Sequence, residues 1–134
     1  MEKLTPERRS ENMRRITSKH TKPEVFVRRL LHRLGFRYRL HCQGLPGKPD
    51  LVFRGRKKVI FVHGCFWHLH ADCREGRIPS SRREYWEPKL RGNRKRDQNH
   101  LDLLAAAGWS ALVIWECEIQ DVARLESRLT GFLS

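Results

Sequence analysis

The stretch "LPGKPDLVFRGRKKVIFVH", Leu45 to His63, holds two apolar runs, "DLVFR" and "KKVIFVH", on either side of the turn residues Arg54, Gly55 and Arg56. Short β-branched and aromatic runs around a glycine-containing turn predict a β-hairpin. The second run is apolar at enough successive positions to predict a central strand, covered on both faces. Antiparallel pairing would return Val62 and His63 to the end of the hairpin where Asp50 begins the first strand. A carboxylate and an imidazole are therefore expected to share a site.

Upstream, "TKPEVFVRRLLHRLG" predicts a helix: Pro23 and Glu24 open it, Phe26, Val27, Leu30, Leu31 and Leu34 form its apolar face, and Gly35 ends it. Next, "FRYRLHC" alternates Phe36, Tyr38, Leu40 and Cys42 with polar residues, as a half-buried strand does. Downstream, a long helix is expected over Arg82 to Ala107, beginning near Glu84. Gly108 and a buried strand in "WSALVIW" follow, then an amphipathic helix in "EIQDVARLESRLTGFL", with Ile119, Val122, Leu125 and Leu129 at helical spacing. Near the start, "TPERRSENMRRI" offers Thr5 as N-cap and Pro6 at the first helical position of a short basic helix.

This order, helix, three strands, helix, strand, helix, implies an α/β fold: one domain over residues 1–134, with a mixed central sheet flanked by helices. One stripe of the long helix runs Trp86, Leu90, Asn93, Asp97, Leu101, Leu104, apolar at both ends and polar in the middle. A helix whose middle crosses a polar site explains that pattern better than a solvated mid-helix does.

With 28 Lys+Arg against 15 Asp+Glu the chain carries a formal charge of +13. The excess lies before Asp97, where 26 basic and 9 acidic residues face 2 and 6 in the remainder. Polyanions are the expected partners of such a surface. No run approaches the ~18 apolar residues of a membrane span, and "MEKLTPERRSENMRRI" lacks a signal peptide's hydrophobic region, so a cytoplasmic protein without membrane contact is expected. Thiols stay reduced in that compartment, which makes Cys42, Cys65, Cys73 and Cys117 ligands or packed thiols rather than disulfides.

Three constellations carry chemistry. Cys65, His70 and Cys73, with Cys117 just after "LVIW", form a three-thiolate, one-imidazole set suited to a closed, structural zinc site, although the spacing equally admits His68 in place of His70. Asp50, the backbone carbonyl of Val62, His63 and Glu24 would give a site with hard oxygens for magnesium and groups for moving a proton, the parts phosphodiester hydrolysis needs. Phe66 and Trp67, in a loop among histidines, and Trp86, after "SSRRE", are aromatics placed to wedge between bases or to cover the zinc site.

With these residues in hand, the sequence resembles the very-short-patch repair (Vsr) mismatch endonucleases through "RSENMRRI", "TKPE", "LPGKPDLVF", "VIFVHGCFWHLH", "YWEPKL", "RGNRKRD" and "ALVIWEC". The resemblance implies a fold related to the type II restriction endonucleases (PD-(D/E)xK-like). It also implies a structural Zn2+ and Mg2+-dependent nicking of one strand beside a T:G mismatch. Asp50 matches the magnesium-binding aspartate, His68 the histidine that activates water, and Glu24 and His63 the supporting groups. Cys65, His70, Cys73 and Cys117 match the zinc ligands, Phe66, Trp67 and Trp86 the intercalating aromatics, and Met13, Lys89 and Asn93 residues at the mismatched pair. Val62 stands where the best-known pattern has threonine, and the gap from His70 to Cys73 is one residue longer.

The expected function is thus a DNA nicking endonuclease that starts repair at T:G mismatches left by deaminated 5-methylcytosine. It would act as a monomer on double-stranded DNA, with helper proteins as further partners and with residues 1–20 as a basic segment touching DNA. Two alternatives are a zinc-stabilised DNA-binding module without catalysis and a restriction-like endonuclease of different specificity.

Overall fold

The computed structural model describes residues 21–41, 44–71 and 73–134. The basic segment 1–20 with Met13, and Cys42 in the strand expected over "FRYRLHC", lie outside the described residues.

The hairpin forms as its two runs require. β1 (Arg39–Leu40), β2 (Leu51–Phe53), β3 (Lys58–His63) and β4 (Ser110–Trp115) make one sheet in the order β1-β2-β3-β4. The first two pairings are antiparallel, with Leu51 opposite Ile60, and β3–β4 is parallel, with Lys58 opposite Ser110 and His63 opposite Trp115. The sheet is therefore mixed, as expected. Arg54–Arg56 form a 3-10 turn, and the backbone reverses at Lys57, whose φ of 52° is left-handed. The strand expected over "FRYRLHC" is shorter than its alternation suggested: only Arg39–Leu40 pair.

Period-2 alternation divides the core into two layers. Leu51, Phe53 and Ile60 pack with Val27, Leu30 and Leu31 of α1 (Lys22–Arg33) and with Leu125, Leu129 and Leu133 of α3 (Val122–Leu133). Val52, Val59 and Phe61 face the other way, onto Leu104 and Leu101 of α2 (Arg83–Ala106). Both faces of β2 and β3 are thus covered, which is why their sequences read as unbroken apolar runs.

Two helix expectations change in detail. Phe26, assigned to the apolar face of α1, is 36% exposed, and Glu24 is buried beside Val27, Leu30 and Leu31 instead. The last helix starts later than "EIQD": Glu116–Gln120 is a 3-10 turn that carries Ile119, and Asp121 caps α3 by accepting a hydrogen bond from the Arg124 backbone N–H at 3.2 Å. At the other end α3 has no basic residue in its last turn. The hairpin supplies the cations: Arg56 donates to the Leu133 carbonyl at 2.6 Å and Lys58 to that of Phe132 at 2.5 Å.

Thr21 caps α1, accepting from the Glu24 backbone N–H at 3.3 Å, which fixes Glu24 in the first turn. Among the described residues no helix is long and apolar enough to cross a membrane.

The two kinds of α1 position should separate in chemical denaturation. Leu31, fully buried, should cost about 2–5 kcal/mol as Leu31→Ala. Phe26→Ala should cost less than Leu31→Ala, since about a third of the Phe26 surface is already in water.

Candidate active site and metal centre

The parity that turns Val59 and Phe61 toward α2 carries on to His63, whose ring lies 5.6 Å from that of Phe61 and edge-on to Trp115 at 5.3 Å. The end of β3 therefore opens toward the middle of α2. There a cleft of about 310 Å3 is lined by Asp50, Val62, His63, His68, Asn93 and Asp97, with Gly47, Lys48, Phe61, Arg96, His100 and Leu101 around them. The polar interruption in the helical stripe is explained: Leu90 and Leu104 are buried at its ends, and Asn93 and Asp97 between them face this cleft.

Within the cleft His63 and His68 stack in parallel, ring centres 3.9 Å apart and planes 5° apart. Asp97 holds His68 through Nδ1 at 2.5 Å. A carboxylate only accepts, so Nδ1 carries the proton and Nε2 is left with the lone pair of a base. Burial pushes His63 down to about 3, with the His68 charge adding to the effect and Asp97 opposing it. His63 is thus a neutral plate stacked against His68.

Asp50 sits just before β2, where its Oδ2 accepts from the Val62 backbone N–H at 2.7 Å. Burial raises its carboxyl to about 7; the Val62 N–H works against this and the nearby Glu24 charge reinforces it. Asp50 Oδ1 lies 4.0 Å from Nε2 of His41, which is 2.9 Å from Glu24 Oε1. The four residues expected to converge are therefore distributed over two clusters. Asp50, His63 and His68 line one cleft, whereas Glu24, 2% exposed, is not in its lining and joins Asp50 through a Glu24–His41–Asp50 group.

The third cluster is the cysteine set. One ligand atom from each of Cys65, His70, Cys73 and Cys117 lies within 4.8 Å of every other. The His70 Nδ1 stands 3.6 Å from Cys65 Sγ and 3.5 Å from Cys117 Sγ. With metal–sulfur and metal–nitrogen bonds of the usual zinc lengths, the S···N edge of a tetrahedron is about 3.5 Å, so the donors are spaced for a tetrahedral ion. Of the two histidines the spacing admitted, His70 joins the cysteines and His68 turns to the cleft. The His70 ring is stacked on Trp115 at 4.1 Å. Burial raises Cys65 to about 12 and raises Cys117, while a backbone hydrogen bond from Glu75 lowers Cys73.

Glycine is required in this loop: a Cβ on Gly76 would come 2.1 Å from the His70 carbonyl oxygen, a backbone atom.

Phe66, Trp67 and Trp86 form one half-buried aromatic cluster, with ring centres 5.1, 5.3 and 5.9 Å apart. Asn93 donates to the Trp67 carbonyl at 3.1 Å, and the Lys89 ammonium lies over the Trp67 and Tyr85 rings. Sequence reasoning missed His41, whose place at the end of a short strand carries no motif, and Tyr85, 42% exposed and 5.0 Å from Trp86. Asp97 was visible only as a polar break in the stripe.

Comparison with known proteins adds four findings. The family model described as "DNA mismatch endonuclease Vsr" matches residues 1–75. The type II nicking enzyme V.XorIIP of Xanthomonas oryzae pv. oryzae is 52% identical over 98% of this chain and 96% of its own. The DNA mismatch endonuclease Vsr of Escherichia coli K12 is 38% identical over 87% and 74% respectively. Among solved structures, the catalytic domain of the homing endonuclease I-Bth0305I shares the fold, with a TM-score of 0.60 over 84% of this chain and 94% of that chain, at 21% identity.

The His63 shift fixes the sign of an acid effect. Unfolded, the ring titrates near 6.5; folded, near 3. Between these values the unfolded chain binds a proton that the folded chain refuses, so stability is complete above pH 6.5 and falls by up to about 1.4 kcal/mol per pH unit below it. Denaturation at pH 7.5 and pH 5 should show the native chain losing about 1–2 kcal/mol more than His63→Gln, proton uptake by the cysteines being common to both.

Proposed function

The chain belongs to the Vsr family of DNA mismatch endonucleases, and from that premise we propose that it nicks one strand beside the thymine of a T:G mismatch, with magnesium as the ion at Asp50. It is a DNA endonuclease, and its relatives are named nicking enzymes, so a purely DNA-binding module is set aside. The observation that carries the reading is the cleft, in which Asp50, His63 and the His68–Asp97 pair line one opening.

In this reading His68 Nε2 takes a proton from water, whose oxygen attacks phosphorus. Asp97 holds the ring and balances the imidazolium that results. The P–O3′ bond breaks and the leaving oxygen takes up a proton, giving 5′-phosphate and 3′-hydroxyl ends. His63 keeps the ring in plane, and Glu24 supports Asp50. Asp50 and the Val62 backbone carbonyl would hold magnesium; N–H and C=O of one strand residue point to the same side, so that carbonyl faces the side on which Asp50 accepts the Val62 N–H. When bound, the ion neutralises charge on the phosphate and the leaving oxygen. A carboxyl raised to about 7 by burial is one that an added cation would bring back to its charged form.

We assign Cys65, His70, Cys73 and Cys117 to a structural zinc, a reading supported by the donor set and its tetrahedral spacing. Phe66, Trp67 and Trp86 would insert beside the mismatch, Met13, Lys89 and Asn93 would meet the mismatched pair, and residues 1–20 would follow the backbone. All belong to one endonuclease domain over residues 1–134, acting as a monomer inside the cell.

With magnesium, the protein should nick a T:G duplex and leave its T:A counterpart intact. Asp50→Ala and His68→Ala should each lower the rate by about 10²–10⁴-fold. Equal cutting of both duplexes would sink the specificity, and an unchanged rate in either variant would remove that residue from its role. Elemental analysis should find about one zinc per chain, and a strong chelator should lower the melting temperature. Protein that carries no zinc and melts unchanged with chelator would overturn the assignment.

A further inference from the structure

Of the three ligand clusters among the described residues, the cysteine set and the His63–His68–Asp97 group have their uses above, but the Glu24–His41–Asp50 group has lent only its two acids. We propose that His41 is a protein ligand of the divalent cation at Asp50, so that Glu24, His41 and Asp50 form a mixed carboxylate–imidazole site that accepts manganese more readily than magnesium. The inference rests on the reading that Asp50 holds a divalent cation.

The spacing is that of ligands about one ion. His41 Nε2 stands 2.9 Å from Glu24 Oε1 and 4.0 Å from Asp50 Oδ1. With bonds of about 2.1 Å, adjacent ligands of an octahedral ion stand about 3.0 Å apart and opposite ones about 4.2 Å apart, and the two distances fall at these values. The carboxylates are turned accordingly. Glu24 directs Oε2 to Arg28 at 3.4 Å and Oε1 to His41, while Asp50 gives Oδ2 to the Val62 N–H and keeps Oδ1 on the His41 side.

The backbone aims the imidazole at this place. His41 has a φ of 44°, in the left-handed region that costs a β-carbon residue energy, and its N–H donates to the Asp50 carbonyl at 3.1 Å. The two residues are tied main chain to main chain across the end of the β1–β2 ladder. The His41 side chain is only 13% exposed, so the strained turn directs the ring inward, onto two carboxylates, rather than into water.

The chemical consequence follows from ligand type. Magnesium is satisfied by oxygen donors and water, and gains little from an imidazole; the first-row transition ions gain substantially. A site with His41 as ligand therefore differs from a carboxylate–carbonyl site in its preference among ions, not merely in its affinity. A His41 that only hydrogen-bonds Glu24 would raise or lower all ions together.

The probe is Mn2+, added to zinc-loaded full-length protein and observed by pulsed electron paramagnetic resonance. Bound Mn2+ should show modulation from a directly coordinated ¹⁴N nucleus, and protein grown with ¹⁵N-histidine should show the ¹⁵N pattern instead, which needs no variant to fold. His41→Gln, checked for zinc content and melting, should lose the nitrogen signal. It should also bind Mn2+ about tenfold more weakly while Mg2+ competition changes less than about twofold.

If the nitrogen coupling is missing from the native protein, or survives in His41→Gln, or both ions weaken alike, His41 is not a ligand. Asp50→Asn separates this from failure of the underlying reading. Mn2+ binding lost in Asp50→Asn keeps the cation at Asp50 whatever His41 does. Binding unchanged in Asp50→Asn overturns the cation site and this inference with it.

Discussion

The parallel pairing of β3 with β4, with His63 opposite Trp115, is the constraint on which both the cleft and the cysteine set depend. Parallel strands end at the same edge of a sheet, so the chain leaving β3 at Gly64 and the chain leaving β4 at Glu116 emerge side by side. Cys65 and Cys117 meet there because the strands stop in register. Trp115, the last residue of β4, then serves both sides: His70 stacks on it at 4.1 Å and His63 meets it edge-on. One residue earlier, Val62 fixes Asp50 through its backbone N–H. A slip of one position in β3 would turn His63 to the α1–α3 layer and take the imidazole out of the cleft.

Burial acts on this strand end in two opposite senses. It disfavours charge on both Asp50 and His63, raising the first to about 7 and lowering the second to about 3. For an acid and a base these are the same physical effect, yet their consequences differ. Asp50 is left with its charge disfavoured, and His63 is held without charge. The proposed base, His68, is only partly buried and has its own carboxylate in Asp97.

The fold was legible wherever burial on two faces leaves a continuous apolar run. β2 and β3 followed from that, and the hairpin register followed from the turn, bringing Asp50, Val62 and His63 to one end; β4, expected as a buried strand, lies at the sheet edge and is fully buried only at Ile114, and the long helix followed from its stripe rather than from an apolar run. The β1 strand was less legible, because Phe36 and Tyr38 pack against the core without strand pairing. Glu24 was placed in the first turn of its helix, but its contact with His41 was not legible, since a left-handed histidine after a two-residue strand leaves no periodic trace. Spacing alone left His68 and His70 interchangeable. A three-dimensional fact separates them, namely which ring Trp115 covers and which Asp97 reaches.

That separation turns on Leu69. It lies between the two histidines, is 6% exposed, and has a φ of 48°. A residue in the left-handed region reverses the local path of the chain, so His68 and His70, two apart, point to different neighbours. The hydrogen bonds of the loop run in the same sense, from the His68 N–H to the Gly64 carbonyl at 3.2 Å and from the His70 N–H to that of Cys65 at 3.0 Å. His68 and His70 are thus held by one loop backbone, with the buried Leu69 between them. An ion in the cysteine set would hold the same loop that carries the proposed base, without touching DNA. Activity lost to a strong chelator therefore speaks for either ion, and only the order in which magnesium and zinc restore it assigns the loss to one of them.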